Sequence, residues 1–487
     1  LPRRTPYIDV NENPLELARD SLQVYDAVDL LAAIAALQLM PENSGRIVRL
    51  EAAAHVAASL AAGDKQNRIS PKKLGFILNS GPLGDARITR NEDPHEFGFT
   101  DSIAFIDGPF TVFPGIEDDS VFIVQNLLNA IFRHRRQIQN QDYLNAAFQL
   151  VFAVLLLSNE IAGRAGLSRS LNPVYAPEHS VVIPSNKRFA ELKTAVIFEQ
   201  PEIDRLLWSH GIDPSSLEIL IKRLGDIDLS SHRLHHGELF RHPIVRVADR
   251  YIISLPSRLL SALRHALLVQ AVEAGLQSDV VARYTGAVWE TVVESLYYLE
   301  IHPATLQNDD LPRVPNIAEG MFHLDNDKAL YVILATDPLV DYDTNETFGR
   351  WTTGDLQERI EGAVDAAVSH LLQLPQPPND ILVLELTQGI GRSYQLAIRN
   401  LKWLPFLYLG AADLSTIAQL EGGNKLLLWK YARASARIRQ RLEINSASLL
   451  DEFFLYRKHG HSYYIADTET YNFISVLPGY AGELREE

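Results

Sequence analysis

Met321-Phe322-His323-Leu324-Asp325-Asn326-Asp327-Lys328-Ala329-Leu330-Tyr331-Val332-Ile333-Leu334 is the stretch on which the fold turns. Two apolar runs, Met321 to Leu324 and Ala329 to Leu334, flank four polar residues. Asp and Asn side chains hydrogen-bond their own backbone in turns, so 325–328 predicts a hairpin turn between two strands. Upstream, Val288, Val292, Leu296 and Leu299 recur at helical spacing, and 288–299 reads as a helix. Downstream, Asp355 to Leu372 reads as a helix that ends before Pro375, Pro377 and Pro378. Ile381-Leu382-Val383-Leu384 and Phe406-Leu407-Tyr408-Leu409 read as buried strands, the second followed by a short helix from Asp413. Helix, strand, strand, helix, strand, strand is the alternation of an α/β domain.

The flanks differ from this core. Residues 1–165 read as a mostly helical domain. Its helices start at Pro14 and run through Val24–Ala35, Ile47–Leu60 and Val121–Ala162, with a Gly/Pro-rich stretch at 79–119. Phe105, Phe110, Val112 and Phe113 are expected to cover a core from that stretch. Residues 166–283 read as a mixed linker domain. It holds a strand at Ser180–Pro184, a hairpin formed by Pro243–Val247 and Tyr251–Leu255, and a long helix after Pro256-Ser257. The α/β core spans 284–420, and 421–487 is a helical and β C-terminal extension. The whole is an α/β multidomain protein.

Composition narrows the chemistry. The chain has 487 residues and no cysteine, which excludes thiolate metal centres, cysteine nucleophiles and disulfide frameworks. The formal charge of −16 disfavours a general nucleic-acid coat or a binder of anionic membranes. The run Leu144 to Leu157 reads as a buried core helix, because a bilayer needs about 20 apolar residues. A cytoplasmic protein without a membrane partner is the expectation. The sequence opens Leu1-Pro2-Arg3-Arg4 without Met, which reads as a processed form or a fragment of a longer reading frame, and the expected partner is another protein or the remainder of that longer chain.

The order of elements from Tyr284 to Ala418, with Gly286-Ala287-Val288-Trp289-Glu290 on the leading helix, resembles the restriction-endonuclease-like superfamily. Active members carry a PD-(D/E)xK site. The resemblance implies a helical Glu, a metal-binding Asp on the first hairpin strand and Glu-x-Lys on the second. Two carboxylates hold a hard divalent cation through oxygen, and the Lys positions or activates water. Here Met321 stands at the Asp position, and Ile333 and Ala335 stand where Glu and Lys should be. The resemblance therefore implies a restriction-endonuclease-like core with a degenerate site. The expected function is a non-catalytic scaffold or interaction protein acting near nucleic acid, with no cofactor. The alternative is a Mg2+-dependent nuclease whose carboxylates have migrated among Glu290, Asp325, Asp337 and Glu385.

Each of those acids has a plainer reading. Asp325 and Asp327 suit turn chemistry, and Asp337, before Pro338, suits a strand end. Glu290 and Glu294 lie off the apolar stripe and read as a solvated helix face. Glu385 stands where open α/β sheets place ligand groups, although a solvated strand end explains it more simply. Gln388-Gly389-Ile390-Gly391-Arg392-Ser393 follows a buried strand, so Arg392 and the next helix start are candidate anion ligands. Lys430, Arg433, Arg437 and Arg441 recur at helical spacing beside Trp429 and Tyr431. They form a cationic face suited to nucleic acid. Arg133-His134-Arg135-Arg136 is a second basic patch at a helix end. His232, His235 and His236 have ligand spacing but are flanked by Arg233, Arg241 and Arg246, which oppose a cation. His459 and His461 read as edge-strand packing, and no metal site is expected.

Overall fold

A computed structural model of the chain describes residues 14–61, 67–80, 82–84, 102–105, 108–111, 113, 118–133, 138–167, 180–229, 238–303, 317–325, 328–336, 362, 369, 380–388, 406–439 and 449–458. The chain divides into two compact units, each built from two stretches: Leu1–Val121 with Gln141–Gln270, and Phe122–Asn140 with Ala271–Glu487.

The first unit opens with helices α1 (Pro14–Leu22), α2 (Ala27–Gln38), α3 (Ile47–Ala58) and α4 (Pro71–Ser80). Asp26 caps α2 by accepting the Asp29 N–H at 2.7 Å, satisfying one of the donors a helix start leaves open. Every residue from Leu30 to Gln38 is buried, so α2 is enclosed on all sides, as its apolar composition requires. Against it, α3 presents Ala52, Ala53, Ala54, Ala57 and Ala58, small side chains that let the two backbones approach closely. Within this apolar surround lies a charged pair. The Arg258 guanidinium holds the Glu51 carboxylate through two N–H groups, one at 3.1 Å, and its face lies 4.8 Å from the Phe240 ring centre.

Strands β1 (Ser102–Phe105) and β2 (Gly108–Thr111) pair antiparallel within the stretch expected to be loop. Phe113 is buried as expected, while the side chains of Phe105, Phe110 and Val112 lie outside the described residues. Helix α5 (Gln141–Arg164) extends well beyond the expected apolar run. At 24 residues it is the one described helix long and apolar enough to cross a membrane, yet most of it is buried within the protein. After α6 (Asn186–Ala195) and α7 (Gln200–Trp208) comes a sheet of order β3–β6–β5–β4. Its strands are β3 (Ile197–Glu199), β4 (Ile221–Arg223), β5 (Ile244–Val247) and β6 (Arg250–Ile253). The β5–β6 hairpin forms where expected, and Ala248 takes φ +50° in place of a turn glycine. Helix α8 (Leu259–Glu273) follows a 3-10 turn at Pro256–Arg258.

The expected strand at 180–184 is absent. Two asparagine amides take the place of a partner strand. Asn79 accepts from Val181 N at 2.7 Å and donates to Val181 O at 3.2 Å. Asn43 does the same with Val182, at 2.7 and 3.0 Å.

The second unit contains helix α9 (Gln277–Tyr298), a full eleven residues longer at its start than the stripe at 288–299 marks out. Its five-stranded sheet runs in chain order: β7 (His302–Pro303), β8 (Ile317–Asp325), β9 (Lys328–Ala335), β10 (Asp380–Thr387), β11 (Phe406–Gly410). β8 pairs antiparallel with both β7 and β9, and β9, β10 and β11 are parallel. The hairpin read from 321–334 is β8–β9, closed by Asp325 opposite Lys328. Residues 326–327 lie outside the described set. Of the helix expected at 355–372, only Gly362 and Ser369 are described, both helical. Buried on both faces, β9 and β10 read as continuous apolar runs, the mark of a parallel interior. Helices α10 (Ala411–Leu420), α11 (Leu427–Arg439) and α12 (Leu449–Lys458) complete the unit. The architecture is mixed helix and sheet throughout, a multidomain α/β protein.

Candidate functional site

The five-stranded sheet sorts the candidate residues by face. Register places Glu319 opposite Ile333, Ile333 beside Glu385, and Glu385 beside Tyr408. Registered neighbours share a face, so two glutamates stand in one row across three adjacent strands. The next row on that face is Met321, Tyr331 and Val383. The Tyr331 hydroxyl, itself buried, donates to the Glu319 carboxylate across the hairpin. Burial raises the Glu319 carboxyl above its ordinary range, while the Tyr331 hydrogen bond pulls the other way. Burial raises the Tyr331 phenol as well, helped by the same bond and by the negative charge beside it.

Glu385 is only 1% exposed. The simpler sequence expectation, a solvated strand end, is therefore incorrect. β10 is flanked on both sides by parallel partners, so its Glu lies inside the sheet layer, two residues before the strand's C-terminal end. That end is lined by Thr387 and Gly410 in register, and by Asp413, which is buried and accepts the Gly410 N–H at 2.8 Å. Open α/β sheets bind ligands at the carboxyl ends of their parallel strands, so this rim is the candidate site.

The other face belongs to α9. A Cβ at Gly320 would stand 2.8 Å from Trp289 Cζ2, and the Trp289 and Phe322 rings pack with centres 6.2 Å apart. Alternation puts Gly320 and Phe322 on the face away from Glu319 and Glu385. Glu290, next to Trp289, is half exposed and pairs with Arg133 at 2.8 Å. Glu290 and Glu385 thus belong to opposite sides of the sheet, and the structure does not bring them together. Glu294 is exposed, as expected of a solvated face. Near the C-terminal rim, Thr285 of α9 and Thr336 after β9 share a 2.7 Å hydroxyl hydrogen bond that fixes helix to strand.

The positions at which the resemblance read from the sequence would put a nuclease metal are Met321, Ile333 and Ala335. None offers an oxygen ligand from its side chain, so these residues do not fit a hard divalent cation. Among the described residues no three His, Asp or Glu side chains gather in metal-binding geometry. Asp325 closes β8, but its side chain lies outside the described residues. So do Asp337, Arg392, Arg441, the Arg437 side chain, His134 to Arg136, and the His232 and His459 clusters.

On α11, Lys430 and Arg433 are exposed, as a cationic face requires. The aromatic neighbours are not part of that face. Trp429 and Tyr431 are buried, and Tyr431 packs edge-on against Phe453 of α12 at 5.2 Å and against Tyr456 at 5.2 Å. The sequence marked the basic stripe but not the aromatic cluster beneath it. It also gave no sign of Glu319, which precedes the expected strand start at Met321. Its signal was available in the alternation Ile317-Ala318-Glu319-Gly320-Met321, which the structure shows to be strand.

The fold and its acidic sheet face define a multidomain α/β protein whose second unit carries a mixed, sequentially ordered sheet. The match of one family model extends over residues 4–449, that of the anti-phage protein Upx-like family. The chain belongs to that family. Neither a curated protein nor a solved structure matches it.

Proposed function

We propose that the protein acts in defence against phage, and that its second unit is a restriction-endonuclease-like module used to scaffold or recognise rather than to cleave. Family membership supports the defence role. The observation behind the non-catalytic reading is the combination of helix, hairpin and parallel strand with Met321, Ile333 and Ala335 at the expected ligand positions. Module order is kept while the oxygen ligands are replaced. Lys430 and Arg433 are the described candidates for contact with nucleic acid, and Arg392, Arg437 and Arg441 belong to the same proposal. Partners would then be a protein, with nucleic acid close by.

A second reading has its own support. A carboxylate buried in a parallel sheet is costly, and sequences retain such groups where they serve a purpose. Glu385 is such a group, so a metal-dependent nuclease using Glu385 with Asp337 or Asp325 is the alternative, while Glu290, across the sheet and paired with Arg133, has no part in it. One pair of experiments separates the two. The protein is incubated with DNA and with RNA in Mg2+ and Mn2+, and cells expressing it are challenged with phage. The scaffold reading expects protection without metal-dependent cleavage, and protection retained in Glu385→Gln, which keeps the volume of the side chain. Cleavage lost together with protection in Glu385→Gln would replace it with the nuclease.

A further inference from the structure

We propose that an open pocket in the first unit, lined by the starts of α2 and α4 and by α6, binds a nucleotide. Its volume is about 1090 Å3, close to the upper end of the ~300–1,000 Å3 usual for small-molecule pockets. That leaves room for more than a phosphate. Its charge is the opposite of the chain's. Arg68, Lys72, Lys193 and Arg250 line it against Asp26 and Asp29, in a protein of net charge −16.

Both acids are occupied in building the wall. Asp26 accepts the Asp29 N–H at 2.7 Å. Asp29 accepts the Ile69 N–H at 3.2 Å with one oxygen and the Lys193 ammonium with the other. The Asp26 N–H donates to Asn67 O at 2.9 Å, so residues 67 and 69 are both tied to α2 and Arg68 is held between them. Arg250 has a surface partner in Glu199, and exposed pairs of this kind are weak enough to exchange. Arg68 and Lys72 are exposed and have no carboxylate partner among the described residues. Two uncommitted cations therefore face a pocket whose own acids are already satisfied.

The remaining lining suits the rest of a nucleotide. Phe189 and Ile69 close the floor with buried apolar side chains, and the Lys193 ammonium lies 6.0 Å from the Phe189 ring centre, so a base would rest on the apolar rim beside that cation. Asn186 presents an amide with both donor and acceptor. Asn186 also opens α6, where Ser185 caps the Arg188 N–H at 3.4 Å and leaves the earlier N–H groups to an anion.

The test is calorimetric titration of the full chain at low salt with ATP, GTP, adenosine and inorganic phosphate. The proposal expects at least one triphosphate to bind, more tightly than either inorganic phosphate or adenosine. Arg68→Glu combined with Lys72→Glu is expected to weaken that binding by about tenfold or more. Both side chains are exposed, so circular dichroism should be unchanged; Arg68→Gln with Lys72→Gln serves if the charge reversal misfolds. No heat with either triphosphate, equal affinity in the variants, or phosphate binding as tightly as the triphosphates would each overturn it.

Discussion

Glu319 and Tyr331 form a hydrogen bond whose acceptor is held above its ordinary titration range by burial. A carboxyl raised in the folded state binds its proton more tightly there than in the unfolded chain. Its contribution is complete below the ordinary value of 4.5 and fades as pH rises through the folded value. Glu319→Gln keeps an oxygen for the Tyr331 hydroxyl and removes the charge. Urea denaturation should find it matching the parent near pH 4 and more stable at pH 8. Tyr331→Phe should instead cost about 1 kcal/mol, because it leaves the half-buried carboxyl without its donor. At this scale the sequence was only partly legible. Glu385 could be singled out from its place after an apolar run. Its burial could not, because that depends on β9 and β11 lying on both sides of it, and β11 is separated from it by some twenty residues.

Gly320 links strand to helix. It sits in β8 with Trp289 packed against its backbone, 2.8 Å from where a Cβ would begin. An indole ring in a helix–sheet interface has little freedom to move aside. Gly320→Ala should cost about 1–3 kcal/mol of stability in denaturant titration, with the loss of Trp289–Phe322 packing visible in near-ultraviolet circular dichroism. The hairpin around this glycine was the most legible element in the chain, because both of its strands are apolar and its turn is polar. Segment 180–184 was misread for a definite reason. Its β-branched residues satisfy their backbone through Asn43 and Asn79, which are more than a hundred residues away, and no local pattern announces a side-chain amide acting as a strand. Asn79→Ala should therefore loosen 181–184, seen as faster amide exchange at Val181, and cost about 1–3 kcal/mol.

At the scale of the molecule, the Glu51–Arg258 pair joins positions 207 residues apart and ties the two stretches of the first unit together. Removing one partner leaves a charge buried. Glu51→Ala should cost about 3–5 kcal/mol, measured as a lowered urea midpoint. The division into two units has a further effect on how the chain is born. Arg133 and Asn126 find their partners Glu290 and Thr291 only 157 and 165 residues downstream. A ribosome adding about 5–20 residues per second leaves the 122–140 segment waiting roughly 10–30 s for its partners on α9. During that interval its apolar side chains, Val124, Leu127 and Ile131 among them, have no native surface to cover them. Chaperone capture of this segment during synthesis, and its failure to take native packing in a fragment ending at residue 270, follow from that delay.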